Sequence, residues 1–280
     1  MSTQKNLPYL VQNYMKSVKL ISSYRVSRTL DLKDEKWITP SMLLLLKNTI
    51  FEAKHKGRYV PPKDEKVMGY LDFITDESGF VGSFGGTTYI RISRITDSNA
   101  DSIASKITGM VGTNLNSESR EALNYSIDEL LANVIEHSQY KNSFIMLQNY
   151  PSLHTLEFSI MDDGISIPVN FRNHGISFEN DCESLEKAIQ GVSTKDENGE
   201  RGFGLHSVFE VMTRGLQGEG IIVSGRGILS RKFRAKGVKS LNELFYYPED
   251  SDETTVFKGC YVAFRVKTNL SPDLYEYLEY

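Results

Sequence analysis

The sequence predicts an α+β sandwich, a two-layer arrangement with an antiparallel sheet under helices on one face, and three observations carry that expectation. Two alternating runs, "NSFIMLQNY" and "LHTLEFSIMDD", flank Pro151 and Ser152 and read as an antiparallel hairpin. Before them, "ESREALNYSIDELLANVIEHSQ" carries Ile127, Leu130, Leu131, Val134 and Ile135 at helical spacing. After them, "GIIVSGRGI" and "KGCYVAFRV" are strand-like runs with turn signals in front and helical stretches between.

From the N-terminus, "YRVSRTLDL" (Tyr24 to Leu32) reads as a strand. "Trp37-Ile-Thr-Pro-Ser" starts a helix, with Thr39 as cap and Pro40 at the first helical position, and that helix stops at Gly57. "MGYLDFITDESGF" reads as a shorter helix and Thr87 to Ile95 as a strand. Residues 1–100 are therefore expected to form a small α/β domain, with the polar segment "TDSNADS" (Thr96 to Ser102) as its boundary and residues 101–280 as a second domain. The long helix behind that boundary is expected to be capped by Asn116 or Ser117. Beyond the hairpin, "FENDCESLEKAIQGV" is a helix, and "RGFGLHSVFEVMTRGL" is another that opens at a glycine-rich turn.

Bulk properties exclude several classes. The 280 residues are 40% hydrophobic and 24% charged, ordinary for a globular protein. A formal charge of −4 gives no global argument for nucleic acid or anionic membranes. The longest apolar run, "MLLLL" at Met42 to Leu46, is too short to span a bilayer, and "MSTQKNLPYLVQNYMK" lacks a signal-peptide core. Two cysteines, Cys182 and Cys260, make neither a disulfide framework nor a metal cluster, so a cytoplasmic location is expected.

Three stretches carry chemistry. In the long helix, Glu129, Asn133 and His137 succeed one another at intervals of four, so an acid, an amide and an imidazole share one face. A solvated helix face would account for that row, although Asn in mid-helix asks for a further reason. "MDDGISIP" ends the hairpin in a carboxylate that can accept a hydrogen bond from an exocyclic amine, beside Gly164, where a flat ring can approach the backbone. A plain Asp-Gly turn is the alternative. "NGERGFGLHSV" sets Gly199, Gly202 and Gly204 ahead of an apolar helix, where successive N–H groups attract an anion. It is neither a Walker A nor a Rossmann sequence, and a loop with several positive-φ positions also explains it.

In this order the three stretches resemble the boxes of the GHKL ATPase superfamily, which groups gyrase-type topoisomerases, heat-shock chaperones, histidine kinases and mismatch-repair proteins. "ELLANVIEH" resembles the N box, "DDGISIP" the first glycine box and "GERGFGL" the second, over roughly residues 115–268. The resemblance implies a GHKL-type mixed sheet with helices on one face, and ATP with Mg²⁺ as ligands. It implies that Asn133 coordinates Mg²⁺ at the phosphates and that Glu129 activates the attacking nucleophile. It gives Asp162 and Gly164 the adenine ring, and Gly202, Gly204 and Leu205 the phosphate-binding turn. Thr194 and Lys195 fall in the expected ATP lid, with Lys195 and Arg201 as cations near the phosphates. Ser166 stands where the pattern usually has a second glycine.

No histidine has the context of a phosphoacceptor helix, so an ordinary sensor histidine kinase is not expected. Closer relatives in kind would be regulatory members resembling anti-sigma factor kinases, which phosphorylate a serine of a protein partner. Residues 24–95 resemble a STAS-like domain, with an unrelated α/β unit as the alternative. Two function classes follow: an enzyme that hydrolyses ATP or transfers its γ-phosphate, with Glu129 as base, or an ATP-gated interaction module with little turnover. The expected partners are ATP and a regulatory protein. The aromatic tail (Tyr275, Tyr277, Tyr280) could dock on a second subunit or on its own domain. The basic stretch Gly225 to Lys239, with Arg226, Arg231, Lys232, Arg234, Lys236 and Lys239, raises nucleic acid as a weaker idea that the acidic whole opposes.

Overall fold

The computed structural model describes residues 7–75, 88–111, 115–137, 139–194, 204–233, 241–246 and 257–278. The predicted hairpin is its centre. β4 (Ser143–Tyr150) and β5 (Thr155–Asp162) pair antiparallel without a break, from Ser143 opposite Asp162 to Tyr150 opposite Thr155. β9 (Phe257–Lys267) runs along the other side of β5. β6 (Glu219–Gly225), β7 (Gly227–Lys232) and β8 (Leu241–Tyr246) continue the sheet beyond it, and β3 (Tyr89–Arg94) closes the opposite edge. The order is β3-β4-β5-β9-β6-β7-β8, antiparallel at every step.

The first face is covered by α4 (Ala100–Val111), α5 (Ser117–His137), α7 (Asp181–Ile189) and α8 (Gly204–Glu210). The α5 stripe read from the sequence supplies Ile127, Leu130, Leu131 and Val134 to a core shared with Leu147, Phe158 and Phe264 of the sheet. Asn116 caps α5, its Oδ1 accepting from Ser119 N at 2.8 Å. After α8 the helix widens into a π turn, Val211–Gly215.

The second face is covered as well, by α1 (Tyr9–Ser27) and α2 (Pro40–Lys56). Leu10, Val11 and Tyr14 of α1 pack on Ile221, Val223 and Tyr261, and the α2 residues Leu43, Leu44 and Leu46 share a core with Met146 of β4. The fold is thus an α+β sandwich, but with a helical layer on each side of the sheet where two layers with helices on one face were expected. The sheet is antiparallel rather than mixed. Polar residues of β5 make that second contact specific. Ser159 Oγ donates to Pro40 O at 3.0 Å, and Ser41 donates to Glu157 through its hydroxyl at 2.7 Å and its N–H at 3.2 Å. Glu219, buried on β6, accepts from Leu10 N at the start of α1.

Several expectations change. The strand expected at Tyr24 to Leu32 begins as helix: α1 runs to Ser27, ends at Arg28 (φ 55), and only Thr29–Asp31 extend as β1. Burial of Tyr24 on the same helical row as Leu10, Tyr14 and Ser17 overrides its β propensity. β1 pairs in parallel with β2 (Arg58–Val60), which follows the α2 stop at Gly57. The short helix expected at residues 68–80 begins earlier, as α3 (Glu65–Thr75). The polar segment 96–102 turns the chain after β3 and runs into the first turn of α4, Asn99 Oδ1 accepting from Thr96 N while its amide donates to Arg94 O. "GIIVSGRGI" is two strands, β6 and the start of β7, meeting at Arg226.

The C-terminal stretch packs on its own chain. Leu274 enters the first core, Tyr277 lies against Gly215 and over the Arg214 guanidinium, while Tyr275 is exposed; Tyr280 is outside the described residues. In the basic stretch, Arg231 pairs with Glu210, and Lys232 with Glu219 at 3.6 Å, so those two charges hold β7 in place. Arg234, Lys236 and Lys239 lie outside the described residues. Among the described residues no helix is long and apolar enough to cross a membrane.

Candidate functional site

The sheet's end and the first helical layer enclose a cavity of about 160 Å³. Glu129 and Asn133 of α5, Asp162 at the end of β5, and Thr194, Gly204 and Leu205 line it. Ile160, Ile222 and Val262 give it an apolar floor from three strands. The volume formed by the described residues is below the ~300 Å³ typical of small-molecule pockets.

Helical spacing explains the pair from α5, since Glu129 and Asn133 are one turn apart on a helix whose other stripe is core. Asn133 Nδ2 is buried with no hydrogen-bond partner among the described residues. A buried amide left unsatisfied is costly, and a ligand atom in the cavity would relieve it. Gly204 faces both side chains. A Cβ there would collide with Glu129 Oε2 and stand 3.8 Å from Asn133 Nδ2. Gly204→Ala should therefore displace Glu129 with little loss of stability, because the colliding atom ends a flexible side chain. Calorimetric unfolding within about 1 kcal/mol of wild type, alongside reduced turnover or ligand affinity, is the expected pair of results.

The two neighbouring aspartates have different work. Asp163 accepts from Asn142 N, Lys141 N and Asn142 Nδ2 at 2.7–2.9 Å. Burial alone would raise its carboxyl, but these bonds outweigh it and hold the group below the usual range. Asp162 is 4% exposed. Burial pushes its carboxyl up to about 6, although Gly164 N, at 2.9 Å, and Cys260 N donate to it and pull the other way. Above that pH it is a charged acceptor inside an apolar cavity.

Ser166 begins α6 (Ile167–Asn173) at φ −69, ψ 152, an extended conformation open to any residue, so serine in place of glycine causes no strain there. Asn170 of α6 donates to Thr194 Oγ1 at 3.3 Å, tying that part of the lining to the helix. Lys195, Arg201 and Gly202 lie outside the described residues, as does the side chain of His137.

Sequence reasoning missed two residues. A Cβ on Gly259 would overlap the Asp162 backbone carbonyl and come 2.7 Å from its Oδ1, so only glycine lets β9 run this close. Ser224 donates to Gly259 O at 2.7 Å and accepts from Ile167 N at 2.9 Å, fastening β6, β9 and α6 together beneath the cavity. A glycine just ahead of the apolar run "CYVAFRV" was the available signal for the first; a serine inside a strand gave none for the second.

The donor set decides what metal would fit. Among the described residues no group of three or more His, Cys, Asp or Glu could hold an ion. A hard cation that keeps most of its waters needs fewer protein ligands, and the amide of Asn133 suits it when phosphate oxygens complete the shell. No protein-family model matches this chain, and no curated protein matches it significantly.

Proposed function

We propose that this protein binds ATP with Mg²⁺ and either hydrolyses it or passes the γ-phosphate to a regulatory protein partner, in the manner of anti-sigma factor kinases of the GHKL type. The observation that carries the reading is the convergence on one cavity of Glu129, Asn133, Asp162 and Gly204, drawn from three separate stretches of sequence. In this reading Asp162 accepts from the adenine amine while the ring lies on the apolar floor. Asn133 holds the metal with its amide oxygen and uses its unsatisfied N–H₂ toward the ligand. Mg²⁺, when bound, supplies charge neutralisation for the phosphates. Glu129, one helical turn away, takes the proton from the attacking water or hydroxyl. Gly204 leaves room for both α5 side chains. A cytoplasmic setting fits Cys182 and Cys260, neither of which is in a disulfide.

Mg²⁺-ATP binding and turnover, measured side by side for wild type and Glu129→Ala, test this. Both should bind, and the variant should lose ~10²–10⁴-fold in rate, the usual worth of a general base. Binding in both with no turnover in either, including with candidate protein substrates, would replace the enzyme by an ATP-gated module. No binding in either would remove the nucleotide reading.

A further inference from the structure

Two helices that line the cavity, α6 and α7, start against one turn of the sheet. Ile167, Asn170 and Phe171 of α6 and Ala188 of α7 are lining residues, and Asn170 in turn holds Thr194. Asp181 opens α7. An acid at that position ordinarily serves its own helix N-terminus. Here Asn180 caps the helix, its Oδ1 accepting from Glu183 N at 3.1 Å. The Asp181 carboxylate reaches two other elements. Its Oδ2 accepts from Arg226 N at 2.8 Å, in the turn between β6 and β7. Its Oδ1 accepts from Arg172 Nη2 of α6 at 2.9 Å. The Asp181 side chain is only 13% exposed, whereas that of Arg172 is exposed.

The turn is built to meet this carboxylate. Gly225 has φ 61, and a Cβ there would lie 2.5 Å from Asp181 Oδ2. A Cβ on Gly227 would lie 2.8 Å from Asp181 O. Glycine on each side of Arg226 thus lets the turn press against the start of α7. Ser224, one residue earlier, accepts from the N–H of Ile167, the first residue of α6, at 2.9 Å. One turn therefore fixes the first residue of each lining helix.

We propose that Asp181 is a positioning residue for the nucleotide, holding α6 and α7 at the spacing from Ile222 and Val262 that the bound ligand requires. The proposal rests on the nucleotide reading above. Asp181 is not itself a lining residue, so it acts through the two helices. Its loss should weaken binding and leave the chemistry of Glu129 and Asn133, which belong to α5, as it was.

The test is Mg²⁺-ATP affinity by isothermal titration, together with kcat, for wild type, Asp181→Ala, Arg172→Met and the double variant. Asp181→Ala should bind about tenfold more weakly with kcat within about twofold of wild type, the signature of lost uniform binding. Arg172→Met should lose less, about threefold, because its ion pair is exposed. It should add nothing to Asp181→Ala, since it acts through that carboxylate. Arg265→Ala removes the charge partner of buried Glu157 near the other end of β9, and should keep wild-type affinity. That control separates positioning from general loosening. Should circular dichroism show Asp181→Ala unfolded, Asp181→Asn replaces it; this variant keeps an acceptor for Arg226 N and should match Arg172→Met. Where wild type shows no turnover, the affinities alone decide. Affinity of Asp181→Ala within about twofold of wild type would overturn the proposal. So would an equal loss in Arg265→Ala, additive losses in the double variant, or a fall in kcat with affinity kept. Absence of binding in wild type would remove the nucleotide reading and this proposal together.

Discussion

Asp162→Asn is expected to make the protein more stable at pH 8 while removing ligand binding at the candidate cavity. The folded carboxyl, raised to about 6, binds its proton more tightly than the unfolded one near 3.8. Folding therefore gains from Asp162 below pH 3.8, and loses that gain as pH rises through about 6. The span corresponds to about 3 kcal/mol, an upper figure because water and ions screen part of it. Thermal unfolding from pH 4 to pH 8 should show wild type losing stability across this window, and the asparagine variant losing much less. A ligand that donates to the carboxylate should bind wild type about tenfold more weakly for each pH unit below 6. Parallel stability curves for the two proteins would mean that the carboxyl is not strained by burial.

Arg265→Ala should be the most damaging single change outside the candidate site. Glu157 is fully buried, and Arg265 Nη1 lies 2.9 Å from its Oε2. The guanidinium is held between the rings of Tyr9, at 4.7 Å, and Tyr150, at 5.6 Å. Removing the arginine leaves the buried carboxylate with its bonds from Ser41 alone, at a cost of up to about 3 kcal/mol, because Arg265 is itself partly exposed. The double variant Arg265→Met with Glu157→Gln removes both charges and should recover most of the loss. Urea denaturation of the three proteins measures this, and a double variant no better than the single one would refute the pairing argument.

The same pair explains what was legible in the sequence and what was not. The hairpin and α5 were readable because Leu156, Phe158 and Ile160, like the α5 stripe, sit at clean apolar periods. Alternating polar positions on an antiparallel strand ordinarily mark a solvated face. In the fold, Glu157 and Ser159 are buried and hydrogen-bonded to α2, so the polar half of the pattern recorded an interface rather than solvent. α1 escaped because its buried row includes Ser17, whose hydroxyl turns back to Asn13 O, and ends in β-prone residues. At the site, Glu129, Asn133, Asp162 and Gly204 were visible as spacing along the chain. Gly259 and Ser224 were not, because their roles come from how closely β9 and β6 approach Asp162 and α6, which no local pattern encodes.

The fastening of α1 and α2 to the sheet also sets an order of events in time. Leu10 binds Glu219 across 209 positions, and Ser41 accepts from Tyr261 across 220. During synthesis these helices emerge before the strands that receive them, β5 more than a hundred residues after α2, and β6 and β9 about two hundred residues after α1 and α2. Contacts of such long range slow folding, because the loop between must close before any energy returns. The side of α1 that meets β6 and β9 therefore waits uncovered while about two hundred residues follow, and the nascent chain is exposed to aggregation for that interval.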